Sequence, residues 1–121
     1  MKLRIQGNTI RLRLKKSDID LFTLKGIVSE KTNFSSNTIF NYSLKSSSEK
    51  EISATFNKNN IIVSIPKKIA ENWVSSDLIS LKNKNSTPEI LIEKDFKCTS
   101  KVCEETEEQK NDSYPNPNEK C

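Results

Sequence analysis

The sequence contains no histidine. That removes the commonest general base and the commonest ligand for transition metals. Glycine is nearly as scarce, with Gly7 and Gly26 the only two, so no glycine-rich phosphate loop can be drawn. The three cysteines, Cys98, Cys103 and Cys121, all fall in the last quarter. An odd number with none in the body argues against a secreted disulfide scaffold. No stretch approaches the roughly 18 apolar residues of a membrane span, and the opening Met1-Lys2-Leu3-Arg4-Ile5-Gln6 lacks the apolar run of a secretion signal. At 121 residues the chain is too short for two independent cores. These shortages lead us to expect one domain, cytoplasmic, with no membrane partner and no cofactor. Serine and threonine are plentiful, but no histidine is there to activate a hydroxyl, so no catalytic set emerges and a non-enzyme is expected.

What is present is charge, unevenly distributed. Residues 1–50 carry ten Lys/Arg against four Asp/Glu, residues 51–97 seven against six, and residues 98–121 three against six. A basic front and an acidic end point to an interaction surface near the start of the chain. The only three arginines, Arg4, Arg11 and Arg13, all lie within the first 13 residues.

Hydrophobic periodicity supplies the elements. Leu3 and Ile5 alternate with Lys2, Arg4 and Gln6; Gly7-Asn8 is a two-residue hairpin signal; Ile10, Leu12 and Leu14 alternate with Arg11, Arg13 and Lys15. A helix is expected over residues 17–24, with Ser17 as N-cap, Asp20 as its acidic partner and Gly26 as the stop. Two strands follow, over 27–32 and 38–46. After a linker at 46–50 the order returns: strands at 51–56 and around Ile61, Val63 and Ile65, then Pro66 opening a helix with the stripe Ile69, Ala70, Trp73 and Val74. Strands over 78–82 and 89–96 complete it. Trp73 reads as core.

Laid over each other, the halves match at a shift of 51 residues. Ile10, Leu12 and Leu14 fall on Ile61, Val63 and Ile65; Phe22 falls on Trp73; Ile27-Val28 fall on Leu78-Ile79, and Ile39-Phe40 on Ile90-Leu91. The expected fold is α+β, mostly β: one domain over 1–97 made of two strand–strand–helix–strand–strand repeats, about 2–46 and 51–96. An acidic tail with cysteine and proline follows over 98–121.

Each half resembles the swapped-hairpin unit of AbrB-type and MazE-type proteins. The likeness rests on Asn60-Ile61-Ile62-Val63-Ser64-Ile65-Pro66 running into a helix, on Ser76-Asp77-Leu78-Ile79-Ser80-Leu81 with Ser76 where the family has glycine, and on Gly7-Asn8-Thr9-Ile10 in the first half. The resemblance implies interleaved hairpins closing one β-barrel, here from a single chain as a monomeric pseudo-dimer, and a DNA-binding or antitoxin-like role. Lys15 replaces the proline in the first half, Gly26 is not followed by aspartate, and only one hairpin is basic, which speaks against symmetric DNA binding. The whole chain also resembles a small uncharacterised bacterial family, with a Lys-Leu-Arg-Ile opening and Glu93-Lys94-Asp95-Phe96 before an acidic tail.

Pairing the first hairpin about Gly7-Asn8 sets Arg4 opposite Arg11 and Lys2 opposite Arg13. Direct like-charge pairs are unfavourable by up to ~1 kcal/mol each. A phosphate backbone would relieve them, because a two-stranded ribbon fits the DNA major groove and arginine grips phosphate or guanine with a planar fork. The candidate nucleic-acid-binding residues are Lys2, Arg4, Arg11, Arg13, Lys15 and Lys16. Internal pairing with Glu93, Asp95 or Glu30, or plain solvation, would relieve them as well. Cys98, Cys103 and Cys121 form a weak candidate metal site that lacks a fourth ligand, or a redox pair. The acidic run Glu104-Glu105-Thr106-Glu107-Glu108 either folds back on the basic hairpin or stays solvated. The expectation is a small binding protein whose partner is duplex DNA or another polyanion. The alternative is a protein-interaction module with internally paired arginines.

Overall fold

A computed structural model describes residues 1–84, 86–96, 114, 115 and 117. Ten elements follow in order: β1 (Lys2–Gln6), β2 (Thr9–Leu14), α1 (Lys16–Lys25), β3 (Ile27–Ser35), β4 (Thr38–Ser47), β5 (Ser53–Asn57), β6 (Asn60–Pro66), α2 (Lys67–Ser75), β7 (Ser80–Lys82) and β8 (Glu89–Lys94). The fold is α+β and mostly β. The cysteines of the tail and its acidic run at 104–108 lie outside the described residues.

Two four-stranded sheets form, in the orders β1-β2-β8-β7 and β3-β4-β6-β5. Each takes one hairpin from each half of the chain, joined by a central parallel pair, β2 with β8 and β4 with β6. The expected barrel does not close. β7 is only three residues long. The start of β1 meets the other sheet through Met1 rather than a strand ladder: the Met1 α-amino group reaches Glu30, and the Tyr42 hydroxyl donates to the Met1 carbonyl at 3.0 Å.

Alternation along the strands turns one face of each sheet inward. Leu12, Leu14, Ile90 and Ile92 from the first sheet meet Val28, Leu44, Ile61, Val63 and Ile65 from the second, and Phe22, Ala70 and Trp73 close the core from the helices. Trp73 is fully buried, and its indole N–H donates to the Ile79 carbonyl at 3.2 Å. Its large apolar area anchors α2, and its polar edge is satisfied.

The first hairpin has the register read from its turn, from Gln6 opposite Thr9 through Arg4 opposite Arg11 to Lys2 opposite Arg13. Structurally equivalent pairs recur in the second half: Leu3 faces Leu12 as Ala54 faces Val63. The separation of 51 holds through both opening hairpins and the helices, then drifts. Val28 corresponds to Leu81, 53 positions on, and Leu44 to Ile92, 48 positions on. The cause is local. Gly26 caps α1 at φ 74°, in the left-handed region that glycine enters without strain, and the chain turns at once into β3. α2 ends instead at an extended Ser76, with φ −116°. The chain therefore runs on to Ser80 before pairing, so the expected strand at 78–82 begins two residues late.

α1 also starts earlier than expected. Its N-cap is Lys15, not Ser17, and the acidic residue of the first turn that closes the cap is Asp18, not Asp20. The Asp18 carboxylate accepts the Lys15 N–H at 3.0 Å. Proline at position 15 would have no such hydrogen to give, whereas Pro66 caps α2 with no side-chain bond.

Candidate functional site

The outer face of the first sheet gathers the sequence-expected residues. On β1 and β2 the outward positions are Lys2, Arg4, Gln6, Thr9, Arg11 and Arg13, because Leu3, Leu12 and Leu14 point into the core. β8 lies beside β2 with Arg13 opposite Glu93 and Arg11 opposite Leu91. Glu93 thus sits between the two guanidinium groups: its Oε1 is 3.3 Å from Arg11 Nε and 3.5 Å from an Arg13 terminal nitrogen. That oxygen is buried yet receives no hydrogen bond of good geometry. One carboxylate therefore stands against two cations in long, imperfectly aligned contacts, which are weak at a partly exposed surface.

Arg4 makes no ion pair among the described residues. It donates to the Gln6 side chain at 3.1 Å and is exposed. Lys2, Lys15 and Lys16 are also exposed. Of the three acids considered as internal partners, only Glu93 meets the ladder. Asp95 extends the β2–β8 ladder, its N–H donating to the Leu14 carbonyl at 2.7 Å, and makes no ion pair among the described residues. Glu30 lies 3.5 Å from the Met1 α-amino group instead.

The ends of this sheet are fixed by polar residues that sequence reasoning passed over. At one end, the Met1 α-amino group is buried and forms an ion pair with Asp18 at 2.7 Å, itself buried. Burial, followed by the charges of Glu30 and Asp18, pushes the Tyr42 phenol above its ordinary 10.0. At the other end Asn83 is buried and ties the β7–β8 turn together. It donates to Ser86 at 2.8 Å and to the Pro88 carbonyl at 2.9 Å, and accepts the Ile90 N–H at 2.8 Å. Lys94 donates to the Ser76 carbonyl at 2.7 Å, with its ammonium 5.8 Å from the Trp73 ring centre. No local pattern flags Asp18, Tyr42 or Lys94, whose partners Met1 and Ser76 are distant in sequence, and the Asn83 contacts, though local, follow no common turn signature.

Residues 1–118 match the family of unknown function DUF7009. The chain belongs to that family. No curated protein and no solved structure matches it, so nothing in the comparisons ties this DUF7009 protein to AbrB-type or MazE-type proteins. Among the described residues, no group of three metal-ligating side chains forms a site. No helix among them is long and apolar enough to cross a membrane. Cys98, Cys103 and Cys121 lie outside the described residues.

Proposed function

We propose that this DUF7009 protein is a non-enzymatic, monomeric binding module of the cytoplasm, and that it engages a polyanion, duplex DNA foremost, through the outer face of its first sheet. The carrying observation is the unequal charge of that face. Arg4 opposes Arg11 and Lys2 opposes Arg13, while among the described residues Glu93 alone offsets Arg11 and Arg13. The guanidinium forks retain donors that a phosphate accepts. The exchange of hairpins between the halves supports reading the fold as an AbrB- or MazE-like arrangement made by one chain, with a regulatory or antitoxin-like role.

Glu93 also favours a second reading, in which it organises the arginines for stability alone and the module meets a protein. Glu93→Gln separates the two. Under the polyanion reading the variant binds short duplex DNA about tenfold more tightly, the equivalent of one charge-assisted contact released at ~1.4 kcal/mol. A variant that loses stability and binds no DNA supports the second reading and removes the first.

A further inference from the structure

Resting on the polyanion reading above, we infer that the acidic segment Glu104–Glu108 of the same chain is a built-in competitor for the arginine ladder. The topology points to it. β8 runs parallel to β2 and leaves the sheet at its basic end, where Asp95 donates to the Leu14 carbonyl beside Arg13 and Lys15. From the exposed Phe96, seven residues precede Glu104. Extended, they span roughly 24 Å, and the five-residue β1–β2 ribbon is only ~17 Å long at 3.3–3.4 Å per residue. The tether is therefore long enough for the run Glu104-Glu105-Thr106-Glu107-Glu108 to meet Arg13, Arg11 and Arg4, and the run carries four carboxylates where the sheet supplies one. A tether of this length holds the segment at an effective concentration of about a millimolar. An external polyanion must displace it, and salt weakens both contacts together.

The test uses the full chain, kept reduced, against a variant with Glu104, Glu105, Glu107 and Glu108 all changed to Gln. Two readouts are needed. Arg4, Arg11 and Arg13 are the only arginines, so the side-chain Nε–Hε region of an ¹⁵N correlation spectrum holds three signals and reports the ladder without any ligand. At low salt those signals are expected to differ between the two proteins and to merge at high salt. In parallel, the variant is expected to bind short duplex DNA about tenfold more tightly, as follows if the ladder is open for a tenth of the time in the parent chain. Superimposed arginine signals at low salt overturn the inference, whatever the DNA result. Shifted signals with unchanged DNA affinity overturn the competition. Shifted signals with no DNA binding by either protein sustain the intramolecular contact and defeat the polyanion reading instead.

Discussion

Replacing Asp18 by asparagine tests how the two sheets are held together at the start of the chain. The carboxylate is 5% exposed, lies 2.7 Å from a fully buried α-amino group and accepts the Lys15 N–H. Removing one partner of a buried ion pair strands the other, at a cost of roughly 3–5 kcal/mol. One feature pulls the value to the low end: Glu30 remains 3.5 Å from the amine and still faces its charge. Asparagine keeps an oxygen for the Lys15 N–H, so the helix cap survives. The expected loss is therefore ~3 kcal/mol, or a fall in Tm of roughly 12–24 °C for a domain of this size. Asp18→Ala adds the cap, a further ~1 kcal/mol. Urea titration monitored by Trp73 fluorescence reads both. A loss below about 1 kcal/mol for Asp18→Asn would show that the buried pair does not secure β1.

Tyr42 makes stability sensitive to alkali. Its phenol is raised above 10.0 by burial and neighbouring carboxylates, so the unfolded chain ionises first; the contribution is whole below pH 10 and is lost as pH rises through the folded value. Tyr42→Phe is expected to cost about 1 kcal/mol at neutral pH through the lost bond to the Met1 carbonyl and to flatten the decline above pH 10, as read by Tm across pH. Asn83→Ala removes three hydrogen bonds and leaves the Ile90 N–H unpaired, for an expected loss of ~2–3 kcal/mol by urea titration; a loss under 0.5 would be inconsistent with its role in the turn.

The parts of this fold that were legible from sequence are those set by local rules. A two-residue turn at Gly7-Asn8 and strict alternation fix every pair of the β1–β2 register, including the opposed arginines. Glycine at position 26 announces the end of α1. The illegible parts depend on partners far along the chain. The shift of 51 failed beyond the helices for two reasons that a count of apolar positions does not see: Ser76 does not reverse the chain as Gly26 does, and the β7–β8 hairpin is shorter than the β3–β4 hairpin, with Leu81 pairing Ile92 where Val28 pairs Leu44. The choice among Glu93, Asp95 and Glu30 required the parallel register of β2 with β8, set by strands about 80 residues apart. Ser17 drew the helix start away from Lys15 because a serine is the usual cap, while the side chain that closes it is an aspartate whose charge is held by the Met1 α-amino group.

The proposed function requires that the cationic face of the first sheet take up phosphate. The most direct measurement is the affinity of the full chain for short duplex DNA across a salt series, beside a variant with Arg4, Arg11 and Arg13 all changed to Gln. Four phosphate contacts, through Lys2 and the three arginines, predict a slope of log K against log salt of about −3.6, falling to about −0.9 in the variant. A slope near zero, or no binding at low salt with the fold intact, would contradict it.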